Sequence, residues 1–116
     1  MEKVSEFLYQ FFTSNKMFKA EMKDKIYPLF VSAQKEFPFA VYNIGEVPYA
    51  TSDARAFPIT LSLCYEPESY LEAISFADKM KDAIEEIENG EFVSTKTAFD
   101  DTNQFIYVNI NFNIIM

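Results

Sequence analysis

The chain has 116 residues, which sets it up as one domain, 1–116, with a single core. Its 49% hydrophobic side chains, among them 13 Phe and 7 Tyr, exclude a disordered chain and require a core assembled largely from rings. The net charge of −8 sits in the second half, since residues 1–58 carry seven basic and seven acidic side chains and residues 59–116 three and eleven; such a surface repels phosphates and argues against direct nucleic-acid binding.

Val4, Phe7, Leu8 and Phe11 recur at helical spacing and predict an amphipathic helix over residues 2–13, interrupted at Thr13-Ser14-Asn15. Phe18, Met22 and Ile26 continue a helical period up to Pro28. Residues 37–44 are rich in aromatic and β-branched side chains and end at Gly45, a first strand with Pro38 at its start. The segment from Gly45 to Ala56 has neither period, and a connection of that length in a small domain is often functional.

A second strand is expected over 57–65, ending at Glu66-Pro67-Glu68. Ser69-Tyr70-Leu71-Glu72 fits a capping box, and Ala73, Ala77, Met80, Ile84 and Ile87 then lay an apolar stripe along a helix over 69–89, with Asn89-Gly90 as its stop. Val93, Thr95, Thr97 and Phe99 alternate in a third strand over 92–99. Asp100-Asp101-Thr102-Asn103 is turn chemistry, and Ile106, Val108, Ile110, Phe112, Ile114 and Met116 alternate in a fourth strand over 105–116. The order helix-strand-strand-helix-strand-strand predicts an α+β domain, a four-stranded, mostly antiparallel sheet with helices packed on it.

With no His and one Cys, the chain has no Ser-His-Asp or Cys-His set and no Cys/His zinc site. Cys64 lies in an alternating run and reads as a small packed or half-exposed strand residue. Two glycines could hardly build a phosphate-binding loop, and Asp100 and Asp101 stand where a hairpin needs turn formers. Neither a catalytic residue nor a cofactor or metal is expected. No apolar run approaches a membrane span and the start lacks a signal-peptide pattern, so the expectation is a cytoplasmic protein with no membrane partner.

Three surfaces are candidates for partner binding. Asp78, Asp82 and Glu86 follow one another at steps of four, beside Glu85, forming either a solvated acidic face relieved by Lys79 and Lys81 or a dock for a basic partner. Asn109, Asn111 and Asn113 form either the wet face of an edge strand or a hydrogen-bonding row across a subunit boundary. Val47, Tyr49 and Arg55 bring hot-spot residue types to the 45–56 connection.

Asp24-Lys25-Ile26-Tyr27-Pro28, then Phe37-Pro38-Phe39-Ala40-Val41-Tyr42, resemble the "D-R-I-Y-P … P-Y-V-V-Y" opening of the small tail-completion, or tail-terminator, proteins of long-tailed phages and prophages. Ser69-Tyr70-Leu71-Glu72-Ala73 and Ala77-Asp78-Lys79-Met80 are similar to that family's "sY-x-eA … ad-x-v" helix, so the resemblance runs from Phe7 to Ile114. It implies a virion structural protein, assembled in the host cytoplasm and carried in the virion, that forms a ring, usually a hexamer, on the head-proximal end of the tail tube. Its partners would be copies of itself, the tail tube protein and a head-completion or connector protein. The alternatives are a cytoplasmic protein-protein interaction module, another minor tail or head-tail connector component, and a ligand-binding domain or small enzyme using carboxylates such as Glu66, Glu68 or Asp101.

Overall fold

In the computed structural model, which describes residues 2–23, 25–28, 37–45, 56–102 and 104–115, the alternating end of the chain forms strand β5 (Phe105–Ile115). It pairs antiparallel with β3 (Ala56–Tyr65) along its whole length, so that Phe57, Ile59, Leu61, Leu63 and Tyr65 lie opposite Ile114, Phe112, Ile110, Val108 and Ile106. These ten residues are buried and make one apolar face. Burying each contributes about 1.5–3 kcal/mol. Around this pair the chain runs α1 (Glu2–Ser14), α2 (Lys16–Met22), β1 (Ile26–Pro28), β2 (Phe39–Ile44), β3, a 3-10 turn (Pro67–Ser69), α3 (Tyr70–Glu85), β4 (Gly90–Asp100) and β5. The result is an α+β domain whose α1, α2 and α3 pack on one face of the sheet.

Among the described residues the sheet has five strands in the order β1-β2-β3-β5-β4, one more than the sequence suggests, and it is mixed because β1 runs parallel to β2. The added strand comes from Ile26, which the helical period assigns to a helix. Asn15 caps α2 by accepting from the Phe18 amide at 3.0 Å, and α2 stops when Lys23 turns into the left-handed region at φ 57°. β1 then lays Ile26 beside Ala40, where it is buried. β5, read as an edge strand, lies inside the sheet between β3 and β4; the sheet's edges are β1 and β4.

Helix boundaries differ from the expectation at both ends of α3. Ser69 makes no side-chain cap bond, because its backbone (φ −98°, ψ 27°) lies outside the extended geometry that a capping side chain needs; its amide donates to the Glu66 carbonyl at 2.9 Å instead. Ala73, Ala77, Met80 and Ile84 are buried as the stripe predicts, and Ile87, beyond the helix, packs at the edge of the core. In α1 the buried residues are Val4, Leu8 and Phe12, with Phe7 and Phe11 half-buried beside them.

Gly90 opens β4 without a positive φ, so it does not serve as a left-handed helix stop. Its role is close approach, since a Cβ there would lie 2.9 Å from Ile87 Cβ and 3.1 Å from the Ile84 carbonyl oxygen. Gly90→Ala is therefore expected to destabilise the domain by about 1–3 kcal/mol through overpacking, read as a lower urea midpoint with unchanged slope. An unchanged midpoint would show that the α3–β4 corner yields freely.

Candidate functional site

The face of the sheet away from the helices divides into a polar and an aromatic half. In the polar half, Asn109 Oδ1 accepts from the Ser62 hydroxyl at 2.6 Å and Asn111 Oδ1 accepts from the Thr60 hydroxyl at 2.8 Å. Asn111 Nδ2 donates to Ser94 Oγ at 3.1 Å, so this side chain bridges three strands. Asn113 stands next in the same row, opposite Pro58 and Glu91. The row thus belongs to an interior strand, and two of its three amides are committed to holding strands together.

The aromatic half is a cluster that the sequence does not announce as a surface. Phe37 stacks with Phe39 at 5.4 Å and meets Phe105 at 5.7 Å; Phe105 meets Tyr107 at 5.9 Å, and Tyr27 meets Phe39 edge-on at 6.3 Å. The spacing of two in Phe105/Tyr107 places that pair on one face of β5, whereas Phe37 lies in a bend just before β2, where no strand period applies. Cys64, paired with Phe39 and Tyr107, is buried on this face as a free thiol.

Burial pushes the Cys64 thiol up to about 12. The Tyr65 phenol is also raised, first by burial, then by the hydrogen bond it donates to Glu21 Oε2 at 2.7 Å and by the charges of Glu21 and Glu72. Both groups are held neutral in the fold and ionise more readily in the unfolded chain, so their stabilisation is complete below their ordinary values and is lost as pH rises above them. The unfolding free energy, read through the urea midpoint, is expected to fall from about pH 9 toward pH 12, by up to about 1.4 kcal/mol per pH unit for each group above its ordinary value. Tyr65→Phe should flatten the fall above about pH 10, and a midpoint level through that range would contradict the burial of both groups.

Asp78, Asp82 and Glu86 are exposed along α3 and its C-terminal cap. Lys81 pairs with Glu85 at 3.6 Å and lies over the Phe92 ring at 5.1 Å. Glu66 caps the 3-10 turn and Glu68 lies within it, both exposed, and a hydrogen bond between their carboxyls raises the pKa of Glu66. Asp101 is exposed in the β4–β5 turn, where the Thr102 amide donates to Asp100 Oδ1 at 3.0 Å and Gln104 Nε2 donates to the Asp101 carbonyl. Among the described residues no group of three His, Cys, Asp or Glu side chains could hold a metal ion, and no helix is long and apolar enough to cross a membrane. A shallow apolar groove of about 330 Å³ runs between Phe7, Phe11, Ile87 and Ile114. Val47, Tyr49 and Arg55 lie outside the described residues.

Comparison with protein-family models and with curated proteins returns no match. Among solved structures, the fold is similar to a chain in the virion of a native gene transfer agent particle, with a TM-score of 0.77 at 12% identity, covering 93% of this chain and 90% of that one. The likeness spans nearly the whole of both chains, and at this identity what it shows is a common fold.

Proposed function

We propose that this chain is a structural component of a phage-like virion, and within the virion a tail-completion protein that caps the head-proximal end of the tail tube and joins it to the head as a ring. The observation that carries the coarser half is the near end-to-end likeness to a chain of a gene transfer agent virion. The finer half is supported by the resemblance to tail-terminator proteins along Asp24–Pro28, Phe37–Tyr42 and Ser69–Met80. Such a role needs recognition by shape and charge, and no bond is made or broken. The partners proposed are further copies of the chain, the tail tube protein and a head-completion or connector protein, with assembly in the host cytoplasm.

Polymerisation of the tail tube protein with and without the purified chain tests this directly. Tubes are expected to stop growing once the chain binds one end, giving a narrow length distribution; unrestricted growth with no end-bound protein would overturn the capping role. The 45–56 connection is the proposed contact with the tube. Tyr49→Ala combined with Arg55→Ala is expected to weaken attachment about tenfold or more while leaving the melting temperature unchanged. Attachment at wild-type strength would remove this connection from the interface.

A further inference from the structure

β4 projects beyond the helix layer. Its helix-side residues Thr95, Thr97 and Phe99 are exposed, although their partners on β5, Ile110, Val108 and Ile106, are buried. α3 therefore covers β5 and leaves a ledge on β4. The α3 flank over that ledge is fixed by Lys81, which lies over Phe92 of β4. Residues three and four apart share a helix flank, so Leu71, Ile74, Asp78 and Glu85 line the same side as Lys81. Leu71 is 81% exposed and Phe99 51% exposed, and both lie toward the end of the domain where β3 finishes. The ledge thus combines exposed apolar side chains with Asp78 on its flank and Asp82 one turn along toward the outer face of α3, while Glu85 is paired with Lys81.

The surface that complements it is on the same chain. Lys16 and Lys19 of α2 and Lys23 at its C-cap are exposed at spacings of three and four along one flank, with Met17, 44% exposed, at the margin beside Lys16, and the helix's acid, Glu21, is tied to Tyr65. α2 leads into β1, at the edge of the sheet opposite β4. α2 itself packs on α3 through Phe18 and Phe76 and on the end of β3 through Glu21 and Tyr65, and Phe76 stands five residues from Leu71 and Lys81, so the basic patch of α2 and the acidic ledge lie on either side of α3.

We infer that the α3–β4 ledge receives the α2 face of a second copy of this chain, in a head-to-tail contact. Two different patches meeting in this way make a heterologous interface, which closes into a ring or continues as a filament. Opposite charge sets register and speeds association, while Met17, Leu71 and Phe99 supply the apolar area. The inference deepens the ring assembly proposed above and rests on it.

Sedimentation velocity of the purified chain at low and high salt tests it, with circular dichroism to confirm folding. The wild type is expected to associate and to dissociate as salt rises. Lys16→Glu with Lys19→Glu, and separately Asp78→Lys with Asp82→Lys, should each weaken association about tenfold or more. An equimolar mixture of the two variants should associate again, because the reversed ledge of one matches the reversed α2 of the other. Association that ignores both reversals, or a mixture that stays apart, would overturn this interface while leaving ring assembly standing on another surface. A wild-type chain that remains monomeric at every salt and concentration would overturn both.

Discussion

Ile110→Asp is expected to yield a chain that does not fold. Ile110 is fully buried at the centre of the sheet, opposite Leu61 on β3 and Thr95 on β4. The substitution removes about 1.5–3 kcal/mol of burial and places a carboxylate where no described side chain offers a positive partner. Together these losses approach the whole stability of a small domain, about 5–15 kcal/mol. The neighbouring Asn111→Ala serves as the contrast, because that side chain lies on the opposite face; losing its bonds to Thr60 and Ser94 should cost only about 0.5–1.5 kcal/mol per bond. Urea unfolding followed by circular dichroism separates the two. A soluble, cooperatively folding Ile110→Asp variant would contradict the strand's position and register.

Phe18→Ala is expected to destabilise the domain by about 3–5 kcal/mol. Phe18 is fully buried, 5.4 Å from Phe12 and 6.1 Å from Phe76, so one ring ties α1, α2 and α3 together. Phe7→Ala should cost clearly less, since Phe7 is half-buried and stacks on Phe11 at the margin of the core. Equal losses for the two variants, measured as urea midpoints, would show that Phe18 is not the hub of the helix layer.

Elements whose burial is one-sided were legible from the residues. β3 and β5 each bury every second side chain, and α3 buries Ala73, Ala77, Met80 and Ile84, so their periods survive in the sequence. β4 is exposed on both faces for most of its length, and the bulge between Phe92 and Ser94 turns Val93 outward at 54% exposure. Its apparent alternation therefore located the strand without identifying a buried face. Ile26 carries a misleading signal because its spacing from Phe18 and Met22 suits a helix, while the turn at Lys23 that ends the helix has no distinctive residue. Strand order was the largest omission: the turn at residues 100–103 implies the β4–β5 hairpin, as found, but nothing local in Asn109 or Asn111 says that β3 takes the other edge of β5, and only that pairing makes the row interior.

The surfaces followed the same logic. Asp78, Asp82 and Glu86 are exposed as their helical spacing implies, because spacing alone fixes the face of a regular helix. The aromatic cluster of Phe37, Phe39, Phe105 and Tyr107 arises from two strands distant in sequence and becomes a surface only through the sheet order. The β4 ledge likewise depends on the helix layer stopping short of the sheet's edge, a relation between elements that no window of sequence contains.

The most direct test of the tail-completion role is localisation of the chain in intact particles by gold-labelled antibody and electron microscopy. Label confined to the junction between head and tail is the predicted result, and particles in which the label falls elsewhere or nowhere would contradict it.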